Sequence, residues 1–85
     1  MARFFFAIHD LGNGLLSEDP EGTELPNLEE AILEARETLG GFLRDTLFRN
    51  APRSIDIVVI VKAASGVEQF RANFVYQEIL RARSN

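Results

Sequence analysis

The sequence predicts an α+β fold: a two-layer sandwich of order ββαββ(α), in which a mostly antiparallel sheet carries one long helix on one face. Three observations predict it. A phenylalanine-rich run at residues 3–9 and a β-branched run at 55–61 read as strands. Apolar residues recur at three- and four-residue steps over 28–47, which reads as one amphipathic helix. Asn13-Gly14 and Ser65-Gly66 stand where a strand must turn back on itself. With 85 residues, 46% hydrophobic and 26% charged, the chain makes one domain over 1–85 and is not disordered.

In the first strand Phe4, Phe6 and Ile8 alternate with Phe5, Ala7 and His9. Neither face is polar, so this is an inner strand. Asn13-Gly14 suits a type I′ turn, whose two central residues both need positive φ, and a short second strand near residues 15–18 closes the hairpin. The stretch 18–26 is acidic and holds Pro20 and Pro26, which lack the donor a central strand needs, so it reads as a connection that breaks the sheet. Asn27 caps the helix, with Glu30 at the capping-box spacing and Glu29 and Glu30 at the positive end of the dipole.

On the helix, Leu28, Ala31, Ile32, Ala35, Leu39, Phe42, Leu43 and Leu47 form one face, with Glu29, Glu30, Glu34, Glu37, Arg44 and Asp45 away from it. The phase survives Gly40-Gly41, so the helix continues through them although each costs about 1 kcal/mol relative to Ala. Their missing side chains permit close approach of another backbone. Asn50-Ala51-Pro52 ends the helix. The last strand, near residues 67–75, sets Phe70, Ala72 and Phe74 against Gln69, Arg71 and Asn73, and residues 76–85 form a short last helix or a tail. One helix covers one face of a sheet. Phe5, Ala7, Val58 and Ile60 then lie uncovered on the other, a patch that predicts a second subunit, or less completely residues 76–85, over it.

Composition excludes several functions. There are no cysteines, hence no disulfide and no Cys-built zinc site. The apolar stretch 4–8 is too short for a signal peptide or a membrane span, so the expectation is a cytoplasmic protein with no membrane partner. His9 is the one histidine, and Asp10 beside it points to the opposite face of the strand, so His9 reads as a strand-end residue without a catalytic role. Ser17, Ser54 and Ser65 have no companion base, and Gly12-Asn13-Gly14 precedes no helix, so neither a nucleophile nor a phosphate loop is predicted. No catalytic, cofactor-binding or metal residue is expected, and the protein is not expected to be an enzyme.

The net charge of −4 is unevenly placed. Residues 1–48 hold ten acidic and three basic side chains, a charge of −7, and residues 49–85 hold six basic and three acidic, a charge of +3. Glu18, Asp19, Glu21 and Glu24 do not follow the ligand spacing of an EF-hand loop. They read as a surface facing a protein partner. Arg49, Arg53 and Arg71 read as a basic patch, although the acidic balance of the whole does not favour nucleic acid.

Two stretches carry a resemblance: Arg3-Phe4-Phe5-Phe6 with Asp10 and Gly12, and Glu18-Asp19-Pro20-Glu21-Gly22-Thr23-Glu24-Leu25-Pro26-Asn27-Leu28-Glu29-Glu30-Ala31. In them the chain resembles a family of short, mostly alphaproteobacterial proteins known only as a domain of unknown function, with an R-[YF]-F-F start and an E-G-x-E-L-P-[DN]-L-E-x-A motif. The likeness spans nearly the whole chain and brings no activity with it. More weakly, the order of hairpin, acidic Gly-Pro connection and helix is similar to HicB-type antitoxin domains, which neutralise a toxin partner. That resemblance implies a partner-binding role. The expectation is a non-enzymatic, protein-binding and self-associating regulatory module, a homodimer, with a nucleic-acid-associated or antitoxin-like regulator as the alternative.

Overall fold

The computed structural model describes residues 1–12, 14–49 and 54–82. Its elements are β1 (Ala2–Asp10), β2 (Gly14–Glu18), β3 (Thr23–Leu25), α1 (Leu28–Arg49), β4 (Ser54–Ala63) and β5 (Glu68–Gln77). The α+β expectation holds: five antiparallel strands and one long helix. In the sheet the order is β2-β1-β4-β5, with β3 also paired to β1. β1 is therefore an inner strand, as its two apolar faces require.

The hydrophobic core lies between the sheet and α1. Phe4, Phe6 and Ile8 of β1 join Ile55, Ile57, Val59 and Val61 of β4 beneath Ala31 and Ala35 of the helix. Ile57, Val59 and Val61 are the largest side chains to be fully enclosed. All eight apolar helix positions read from the sequence are buried or half-buried, and the six charged ones are exposed. The Glu30 amide donates to Asn27 Oδ1 at 2.9 Å, which fixes the start of the helix at the expected cap. α1 then runs unbroken through Gly40 and Gly41. An added Cβ at either glycine would meet nothing within 4 Å. The close approach expected there does not occur, because the pair lies on the exposed side of the helix.

Three expectations about the strands are corrected. The stretch 18–26 does not break the sheet. β3 pairs with Ala2, Arg3 and Phe4, β2 pairs with Ala7 to Asp10, and the Asp19 amide donates to the Phe6 carbonyl at 2.9 Å between them. The outer edge of β1 is thus occupied along its length. The two prolines permit this because both stand outside the three-residue strand. Gly14 is not a central residue of the first hairpin turn. Gly14 keeps a positive φ of 90° but already pairs with Asp10, and the Asp10 carboxylate accepts the Gly12 amide at 2.7 Å, which shapes the turn before it. Asn13 itself lies outside the described residues. Finally, the last strand runs two residues past its expected end at 75, since β5 takes up Tyr76 and Gln77, and residues 78–82 take the form of the expected tail and not of the helix. Residues 83–85, and the stop at Asn50-Ala51-Pro52, lie outside the described residues. The turn at Ser65-Gly66 is as expected, with Gly66 at φ 88° and the Ala63 amide donating to the Val67 carbonyl at 2.9 Å.

The face turned away from α1 carries Phe5, Ala7 and His9 from β1 and Val58 and Ile60 from β4, paired in register. It is less open than the sequence implies. Val58 is only 2% exposed, between His9 and Asn73 as cross-strand neighbours, and Phe5, Ala7 and Ile60 are half-buried. The described tail does not cover this face or any other: residues 78–82 are all exposed.

Candidate functional site

The acidic connection folds onto the start of β1. Arg3 donates to the Glu21 carbonyl at 2.8 Å through one guanidinium nitrogen and to Glu24 Oε1 at 2.9 Å through another. Gly22 sits beneath them at φ 76°, where an added Cβ would come within 2.8 Å of both the Arg3 Cγ and the Phe5 ring. Only glycine fits that combination of backbone and space. Asp19 holds the turn from the other side: one carboxylate oxygen accepts the Gly22 amide at 3.1 Å and the other accepts the Thr23 hydroxyl at 2.8 Å. The arginine and phenylalanine that open the chain and the Glu-Gly-x-Glu-Leu-Pro-Asn stretch are therefore two sides of one contact.

This divides the four acidic residues singled out in the sequence. Asp19 is half-buried and shapes the turn, and Glu24 is paired with Arg3. Glu18 and Glu21 are exposed. Glu18 borders a small concavity of about 120 Å³ that Thr38 of α1 also lines. Among the described residues no group of three or more histidine or acidic side chains is placed to hold a metal ion.

Of the expected basic patch, the two described members, Arg49 and Arg71, are not brought together. Arg49 pairs with Asp45 one turn back on α1 at 3.0 Å. Arg71 opposes Ile60, on the face of the sheet away from the helix, and pairs with Glu68 at 2.7 Å. The two lie in different layers, and Arg53 is outside the described residues. The Arg71 hydrogen bond holds the Glu68 carboxyl below its usual range, and the same bond raises the Arg71 guanidinium. Tyr76 donates to Glu78 Oε2, and that bond raises its phenol. All three shifts arise from exposed pairs at the surface of β5 and its exit. No described polar or charged side chain is buried.

The last strand was expected near residues 67–75; what sequence reasoning missed is that β5 runs on through Tyr76 and Gln77 and forms an edge of the sheet. α1 lies over β4, β1 and β3, while β5 is attached through β4. Phe70, Ala72, Phe74 and Tyr76 pack against the core from one side and are only half-buried. On the opposite face Val75 is 68% exposed. The signal was present in the ten-residue, proline-free alternation itself, which continues through Tyr76 instead of changing to a helical period.

A family model described as a domain of unknown function, DUF6894, matches residues 3–75. The chain belongs to this family. The family match takes in the Arg3–Glu24 contact, α1 and most of β5. No curated protein and no solved structure matches the chain. No helix among the described residues is long and apolar enough to cross a membrane.

Proposed function

We propose that the protein is a small, non-enzymatic interaction module of the cytoplasm that works as a self-associated dimer. The observation that carries this reading is the apolar surface left open: among the described residues ten large apolar side chains are exposed, Val75 and Phe48 among them, more than a small monomer ordinarily shows to water.

The described ionisable side chains are exposed or half-buried and none is enclosed, which suits a surface that binds. The weaker resemblance to HicB-type antitoxin domains points the same way. Sedimentation velocity across the micromolar range tests the reading: a dimer is expected, and a monomer that persists at the highest concentration overturns it.

A further inference from the structure

The two edges of the sheet are unlike. On the outer side of β1, β2 has five residues, all exposed, and β3 has three, with Pro20 and Pro26 beyond its ends. Short strands, acidic side chains and flanking prolines blunt an edge against further pairing. β5 closes the other side of the sheet with ten residues and no proline. Its pairing with β4 shifts only between Val61 and Lys62, at the turn end, so the strand beyond is regular. Its two charges, Glu68 and Arg71, satisfy each other, and from Ala72 to Gln77 it carries none. None of the usual protections is present along that stretch.

We propose that β5 is the dimer edge, pairing antiparallel with β5 of a second copy about a two-fold axis at Ala72. The proposal rests on the reading that the chain self-associates and names the surface by which it does so. An antiparallel pair of identical strands is two-fold symmetric, so the contact closes on itself and stops at two chains. Residues directly opposite in such a pair share a face. Any register centred on a residue keeps Phe70, Phe74 and Tyr76 of both copies on the helix side, and the two nearest the middle of β5 are centred on Ala72 and on Asn73. Centring on Asn73 sets the charged Arg71 against the apolar Val75 of the other copy. Centring on Ala72 sets Arg71 against Asn73, polar against polar, and Phe70 against Phe74. The half-buried aromatic row of each copy then meets its twin across the join, between the two helices, and both sheets become one.

Because the chain has no cysteine, Ala72→Cys gives a clean test in the full-length protein. At the two-fold axis the paired Cβ atoms stand about 5 Å apart, and mild oxidation is expected to link two chains. Ser17→Cys, on the other edge, is expected to stay unlinked. Asn73→Lys, at an exposed position, sets two lysines against two arginines across the join. It is expected to weaken dimerisation by about tenfold, with the circular dichroism of the fold retained, while Asn73→Glu tightens it. A parent that sediments as a monomer overturns both the module reading and this one. A dimer that ignores both charges at position 73, and whose Ala72→Cys variant does not cross-link, overturns the β5 edge alone and leaves self-association standing.

Discussion

The two sides of the sheet show how the same chain closes one edge and leaves the other open. At the β2 and β3 edge the backbone is tied down by particular side chains: Asp19 on Gly22 and Thr23, Arg3 on Glu21 and Glu24, and the Phe5 ring on Gly22. At the β5 edge one long strand relies on its pairing with β4 and on a half-buried aromatic row. The first edge has spent its polar groups on its own fold. The second has backbone and apolar surface to offer, and what differs is which side of the sheet the connections cover.

Substitutions should separate the two edges sharply. The largest effect is expected at Gly22→Ala, where positive φ and the 2.8 Å approach to Arg3 and Phe5 act together. A loss of about 2–3 kcal/mol in urea unfolding is the expectation, and a variant as stable as the parent would break the picture of a tied edge. Asp19→Ala removes both acceptors from the same turn and should cost about 1–2 kcal/mol by the same measurement. Asn27→Ala, which leaves the Glu30 amide without its cap, should cost about 1 kcal/mol.

Away from both edges, Gly40→Ala should raise stability by about 1 kcal/mol, because a Cβ there meets nothing. It should also leave dimerisation unchanged. A loss of dimer in that variant would move the interface from β5 to the helix. The smallest effect concerns pH. Arg71 lowers the Glu68 pKa in the folded state, so the pair contributes above the unfolded carboxyl pKa and loses its contribution as pH falls through the folded value. Acid titrations of the parent and of Glu68→Gln should therefore converge at low pH and differ slightly near neutrality, by no more than an exposed pair provides.

What was legible in the sequence follows physical signals that act locally. The β-branched run of β4, the phase of the apolar face through Gly40-Gly41 and the Asn27 cap all depend on neighbours a few residues away. β3 escaped because its partner is some twenty positions distant and its flanking prolines suggest a loop; their effect depends on which side of a strand they stand. The Gly40-Gly41 pair was misread for the same reason, since a missing side chain does not say whether another backbone is near. The uncovered face was placed correctly on Phe5, Ala7, Val58 and Ile60, but its openness was overstated. Val58 sits in a central strand and is enclosed by the rows on either side, and Phe5 is flanked by the loop at Gly22. Of the residues proposed to bind, Glu18 and Glu21 face outward, while Asp19 and Glu24 take part in the fold. Arg49 and Arg71 were linked by charge alone, and charge carries no information about which face of a sheet a residue occupies.

The open edge can be read directly from amide exchange. In β5, alternate amides point away from β4, and their protection against hydrogen exchange should rise with protein concentration while that of β2 and β3 stays constant. Protection in β5 that is independent of concentration, in a protein that still dimerises, would contradict the account and place the interface elsewhere.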